Sequence, residues 1–196
     1  MIPFVEFPKM PRLTREIVVT EKIDGTNAQI FIAPGYPGQS GAAATWFDEE
    51  TASDMVMYAG SRSRWVTRDA DNFGFASWVH DHAQELAALG PGSHFGEWWG
   101  AGIQRKYGLG EKRFSLFNAD RWSESRPACC DVVPVLYRGM FCTRSIDEQV
   151  ESLRRCGSAA APGFMDPEGV VVFHLAGRVG FKKTLHKDEL PKGIAA

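Results

Sequence analysis

Alternating apolar and polar positions dominate the chain and predict mainly strands. Residues 16–23 alternate, with Ile17, Val19 and Ile23 on one parity and Val18, Thr20 and Lys22 on the other. If that strand persists to its end, Lys22 and Asp24 point the same way. Gly25 permits a turn, and Ala28-Gln29-Ile30-Phe31-Ile32 is expected to return as a second strand. Further strands are predicted near residues 55–59, 95–99, 114–117, 132–137, 169–173 and 178–182. Pro134 removes a ladder donor and sends its strand to a sheet edge.

Helical spacing appears twice. Phe75, Val79, Ala83 and Leu86 form an apolar stripe over residues 72–89, with Asn72 as the expected N-cap and Gly90-Pro91 as the stop. Ser145-Ile146-Asp147-Glu148 has the form of a capping box, and Ile146, Val150 and Leu153 follow it as a buried face that Gly157 ends. Residues 1–15 are an irregular lead-in with Pro3, Pro8 and Pro11. Residues 33–54, rich in Gly, Pro, Ala and Ser, are expected to be a long exposed loop. Strands outnumber helices and mostly neighbour one another, so the expected fold class is α+β: antiparallel sheets flanked by helices, in one domain spanning residues 1–196.

Composition changes this picture little. The chain is 44% hydrophobic and 23% charged, ordinary for a globular protein. A net charge of −2 excludes the coating of nucleic acid by bulk electrostatics, so any such contact needs a local cationic face. No apolar run is long enough to span a membrane, and no secretory signal is visible at the N-terminus. Cys129, Cys130, Cys142 and Cys156 have neither zinc spacing nor a disulfide pattern, which favours reduced thiols and a cytoplasmic location. His80 and His82, flanking Asp81, are a weak metal signal.

Chemistry concentrates around Lys22. A free lysine titrates near roughly 10.4, so a nucleophilic amine needs nearby cations or a desolvating pocket. Arg62 and Arg64, in Ser61-Arg62-Ser63-Arg64, could clamp phosphate or simply lie on a solvated loop. Glu97, in Phe95-Gly96-Glu97-Trp98-Trp99-Gly100, is either a paired core charge or a ligand for ribose or metal. Glu168 stands at the mouth of the strand Gly169-Val170-Val171-Val172-Phe173, where a divalent metal or a substrate could meet it. Phe181-Lys182-Lys183-Thr184 supplies cations that a surface strand could equally carry.

In this order, the motifs resemble the covalent nucleotidyltransferase superfamily of polynucleotide ligases and mRNA capping enzymes. Lys22-Ile23-Asp24-Gly25-Thr26-Asn27 is most similar to motif I of the ATP-dependent RNA ligases, the branch with bacteriophage type-2 RNA ligases and RNA-editing ligases. DNA ligases and capping enzymes commonly have arginine where this chain has Asn27. The resemblance implies that Lys22 attacks the α-phosphate of ATP to form lysyl–AMP, with Mg²⁺ or Mn²⁺ assisting. It implies that Glu21 reads the adenine amino group, Glu97 contacts ribose and Phe117 stacks on the base. Asp24 and Asn27 complete the nucleotide site, and Arg62, with Arg64 and Asn27, contacts phosphate or the RNA end. Glu168 serves the metal-assisted steps, and Lys182 and Lys183 bind the α-phosphate.

Two departures shape the expectation. The family usually spaces its last lysines as Lys-x-Lys, whereas adjacent lysines on a strand face opposite ways; Lys182 is therefore the expected ligand unless a bulge redirects Lys183. The chain is also expected to leave no room after Lys183 for an OB-fold or a C-terminal RNA-binding domain, which makes a protein partner a candidate source of grip on the polynucleotide. The expected activity is ligation of RNA, with DNA as the other candidate, joining a 5′-phosphate to a 3′-hydroxyl, with repair of cleaved RNA as the family's suggested role. The alternatives are nucleotidyl transfer to another acceptor and a non-catalytic nucleic-acid-binding relative.

Overall fold

The computed structural model describes residues 2–186 and Asp188. Its elements run β1 (Glu16–Lys22), β2 (Thr26–Pro34), β3 (Ala44–Asp48), β4 (Ser53–Ser61), β5 (Trp65–Val66), α1 (Phe75–Asp81), α2 (Ala83–Leu86), β6 (Gly92–Gly100), β7 (Lys112–Leu116), α3 (Ala119–Trp122), β8 (Asp131–Val132), β9 (Val135–Met140), α4 (Thr143–Cys156), β10 (Gly169–His174) and β11 (Val179–Thr184). The first sheet has the order β11-β10-β1-β9. The second has the order β3-β4-β2-β6-β7-β8, with β5 beside β4. All pairings are antiparallel except β7 with β8. The α+β class, with antiparallel sheets and flanking helices, is as expected.

Residues 28–32 do not return beside β1. β1 pairs with β9 and β10, whereas β2 pairs with β4 and β6 in the other sheet. Ile23-Asp24-Gly25 is thus a crossing between sheets and not a hairpin turn. Gly25 is needed there for close approach: a Cβ would run into the Trp98 carbonyl and lie 2.7 Å from Trp99 Cβ.

Each sheet buries one face under helix. Ile17 and Val19 pack with Val170, Val172 and the α4 residues Ile146, Val150 and Leu153. Ile30, Ile32, Met55, Met57, Trp98 and Phe114 pack with Phe75, Val79 and Leu86. A third cluster, of Ile23, Trp99, Tyr107, Val133 and Ala161, lies at the crossing. The parity read in β1 therefore sorts correctly, leaving Val18, Thr20 and Lys22 on the face away from α4.

Several local expectations need correction. The helix over residues 72–89 breaks at His82, whose N–H and ring Nδ1 both meet the Trp78 carbonyl; residues Ala87–Leu89 finish as a 3₁₀ turn. Asn72 is not its cap. Asp71 accepts N–H bonds from Ala76 and Ser77 instead, and Asn72 donates to Thr26 Oγ1 at 3.2 Å. Burial works against the Asp71 charge, but these bonds hold its carboxyl below the usual range.

α4 begins at Thr143, so Ser145 lies inside its first turn and makes no cap. Within the expected loop, Ala44–Asp48 forms an edge strand, with Ala44 and Trp46 against the core and Thr45 and Phe47 outward. Pro134 divides its segment into β8 and β9, each at the edge of a different sheet. The His80 ring meets the Ala43 carbonyl, and among the described residues no three His, Cys, Asp or Glu side chains form a metal cluster. All four cysteines are free, and no described helix is long and apolar enough to cross a membrane.

Gly169 opens β10 beside Lys22 with φ +154°, and a Cβ there would overlap the Lys183 carbonyl and lie 2.7 Å from Thr184 Cα. Gly169→Ala is expected to cost about 2–3 kcal/mol of stability, through overpacking and backbone strain. A Cβ on Gly110 meets nothing within 4 Å. Gly110→Ala should therefore stay within about 0.5 kcal/mol of the parent. Urea unfolding of the two variants checks the contrast.

Candidate active site

The inner faces of the two sheets border a cleft of about 940 Å³. β1 contributes Val18, Thr20 and Lys22 because their parity is opposite to that of the residues packed on α4. β10 contributes Val171 and Phe173, and β11 contributes Lys182, which lies opposite Val171. The second sheet brings Asn27 and Glu97, paired across β2 and β6, and Arg62, Phe117 and Asp24 also line the cleft.

Lys22 is mostly buried, and its Nζ donates to Glu168 Oε2 in a close ion pair. The ladder causes this meeting. Lys22 lies opposite Gly169, so the residue before Gly169 overhangs the amine. Glu97 approaches from the other sheet. Its Oε1 accepts the Gly25 N–H at 3.1 Å, and its Oε2 accepts from Asn27 Nδ2 at 3.0 Å. Burial pushes the Glu97 carboxyl up to about 7, against the opposing pull of Lys22 and these hydrogen bonds. Asn27 thus holds a carboxylate, and its amide is engaged within the protein.

Not every expected residue converges. Lys183 faces away: its Nζ donates to Asp147 of α4 at 2.6 Å, on the far side of the sheet from the cleft. No bulge redirects it, since the β10–β11 register runs unbroken through both lysines. Glu21 lies along the cleft, but its carboxylate is turned to other partners. Its carboxylate, 1% exposed, accepts from Ser158 Oγ at 2.6 Å and from the N–H groups of Ala159 and Ala160 at 2.7 and 2.9 Å. Burial raises its pKa despite those bonds. The carboxylate expected to read adenine is a buried strut in this structure.

The arginine pair also separates. Ser61 and Arg64 close a turn through the Ser61 N–H and the Arg64 carbonyl at 2.8 Å, so the segment is not extended. Arg62 points to the cleft, while the Arg64 guanidinium donates to the Ala70 carbonyl at 3.1 Å and braces its own loop.

Two residues at the site had no role assigned from the sequence. Arg105 Nε donates to Asp24 Oδ2 at 3.0 Å, and the Tyr107 hydroxyl accepts the Asp24 N–H at 2.7 Å. Burial raises the Tyr107 pKa, keeping the phenol neutral. The only signal was the basic, glycine-rich character of residues 100–110, which does not say where such a loop folds. Asp24 itself lies beyond the end of β1, so strand alternation does not govern its direction.

Comparisons with known proteins bear on the whole arrangement. A family model described as RNA ligase matches residues 15–186. A search of curated proteins gives no significant match. An apo variant of a Naegleria gruberi RNA ligase superposes with a TM-score of 0.56 at 17% identity, covering 89% of this chain and 50% of that one. A variant of the Naegleria gruberi RNA ligase with ATP and Mn gives 0.54 at 17% identity, covering 87% and 50%. Another with ATP and Mn gives 0.56 at 15% identity, covering 89% and 51%. At these identities the likeness is one of fold, and this chain spans about half the length of those proteins. The family match is broader in meaning, because it runs through every candidate residue from Glu21 to Lys183. The chain belongs to the RNA ligase family.

Proposed function

We propose that this protein is an ATP-dependent RNA ligase in which Lys22 takes AMP from ATP, passes it to a 5′-phosphate end, and a 3′-hydroxyl then displaces it. The observation that carries this reading is the Lys22 amine set between Glu168 and the Glu97 side of one cleft, with Lys182 and Arg62 on its walls. In the first step the Lys22 nitrogen forms a bond to the α-phosphorus, and the bond to the bridging oxygen breaks. The electron pair leaves with pyrophosphate. Glu168, in contact with the amine, is placed to take the proton that the ammonium must lose first.

Lys182 and Arg62 offer positive charge to the phosphates, and Phe117, at the cleft wall, offers a face for the base. Glu97 and Glu168 are two carboxylates, fewer than an all-protein cation cage requires. That number suits Mg²⁺ or Mn²⁺, which bind through one or two carboxylates together with substrate phosphates. When bound, such an ion neutralises the leaving pyrophosphate. The RNA preference rests on the family match and on the motif ending in Asn27.

Incubation with α-labelled ATP and Mg²⁺ or Mn²⁺, followed by denaturation, should leave acid-labile label on the chain, and Lys22→Ala should abolish it. Absence of label at all pH values and metals tried would sink the proposal. Label without sealing of nicked or single-stranded 5′-phosphorylated RNA would shift it to another acceptor. The two adjacent lysines should differ: Lys182→Ala is expected to slow labelling roughly a hundredfold. Lys183→Ala, which removes only an exposed pair with Asp147, should stay within about threefold of the parent.

Glu97 couples the site to folding. In the window between the ordinary carboxylate value and about 7, the folded protein keeps a proton that the unfolded chain has released. Folded-state stability should therefore fall as pH rises through that window, by up to about 3 kcal/mol from this group. Urea unfolding from pH 5 to 8 should show a shallower fall for Glu97→Gln than for the parent. Equal slopes would mean that Glu97 is not held protonated by burial.

A further inference from the structure

The β1–β10 ladder ends at Lys22 opposite Gly169, so sheet hydrogen bonding does not constrain residues 23–24 or 165–168 against each other. The Arg105 side chain crosses that gap. Arg105 Nε donates to Asp24 Oδ2 at 3.0 Å, and its Nη1 reaches Asp166 Oδ2 at 2.6 Å and the Asp166 carbonyl at 3.0 Å. Asp24 stands two residues after Lys22, and Asp166 two before Glu168. A planar guanidinium can serve two carboxylates at once, as a point-charge ammonium cannot.

The loop that delivers Arg105 is strained. Among the described non-glycine residues with positive φ, Gln104 at 42°, Lys106 at 61° and Tyr107 at 51° surround it, with Gly102 and Gly108 also left-handed. Such backbone persists only where the surroundings hold it. Here Ile103 is fully buried, and the Tyr107 ring lies 4.6 Å from that of Phe164 and 4.9 Å from that of Trp99. Both Arg105 and Tyr107 end on Asp24, one on its carboxylate and the other on its N–H.

We propose that Arg105 is a positioning residue: it clamps the segment after Lys22 to the segment before Glu168 and so fixes the amine against its carboxylate. The proposal rests on the reading of Lys22 as the nucleophile for its consequence in catalysis, and on geometry alone for the clamp itself. With Arg105 removed, Asp24 and Asp166 lose their shared cation and repel across the end of the ladder, and the Lys22–Glu168 pair loosens.

Two measurements test this on the full chain. The first is self-adenylylation. Arg105→Ala should slow labelling at saturating ATP about tenfold or more, with the KM for ATP within about threefold of the parent. Arg105→Lys should fall between them, because an ammonium keeps one carboxylate and releases the other. Adding Asp166→Asn to Arg105→Ala should slow labelling by less than about twofold further, since both changes open the same bridge.

The second measurement needs no ATP chemistry. Limited acetylation with acetic anhydride, read by peptide mass spectrometry, should find Lys22 protected in the parent and several-fold more reactive in Arg105→Ala. If the parent takes no label from ATP, the ligase reading fails while acetylation still decides the clamp. Unchanged Lys22 acetylation in a folded Arg105→Ala protein overturns it, and so does a defect confined to KM, which would make Arg105 a direct ATP contact. Should Arg105→Ala not fold, Asp166→Asn, on a largely exposed partner, carries the same acetylation test.

Discussion

The chain passes from one sheet to the other within Ile23-Asp24-Gly25, and the rest of the site depends on that crossing. It brings Lys22, the last residue of β1, and Asn27, near the start of β2, to opposite walls of one cleft. The crossing is tight enough that the Gly25 backbone rests against Trp98 and its N–H bonds Glu97. A side chain at position 25 would push β6 away and take the Glu97 carboxylate with it. The third core cluster, from Ile23 to Ala161, is the packing that keeps the joint closed.

That geometry sets the electrostatics. Glu168 and Glu97 reach the Lys22 side of the cleft from different sheets, and both are buried enough that water screens them weakly. Glu168 meets the ammonium directly. Among the described residues Glu97 has two neutral donors, the Gly25 N–H and the Asn27 amide, and these do not offset its loss of hydration. The carboxylate that lacks a direct cationic partner is the one pushed up to about 7. A cation brought against Glu97 would favour its charged form and reverse that balance.

Much of this was legible because strand parity is local. Alternation in residues 16–23 sorted Lys22 from Ile17 and Val19, and alternation at Lys182 and Lys183 sorted one lysine from the other. Sheet partners were not legible. A glycine between two β-rich runs has the same local signature whether it turns a hairpin or crosses between sheets, and only the pairing of β1 with β10, far along the chain, decides. Arg105 was hidden for a related reason: its partners Asp24 and Asp166 lie on either side of it in sequence, at separations of 81 and 61 residues. Asn72 and Ser145 had the right chemistry for caps, but Asp71 and an earlier start at Thr143 took those roles.

Period-two alternation also explains how a small site stays rigid. Lys22 and Lys182 on the inner face each have a sequence neighbour that is tied down elsewhere. Glu21, beside Lys22, is anchored by the Ser158 hydroxyl and two backbone N–H groups. Lys183, beside Lys182, is pinned to Asp147 on α4. The two anchors differ in strength. The Glu21 carboxylate is buried and fully satisfied, so breaking it strands a charge, whereas the Lys183 pair is exposed and worth little. The scaffold therefore holds the strand at Lys22 more firmly than the strand at Lys182, which suits the roles proposed for them: an amine that stays in place and a cation that follows a phosphate.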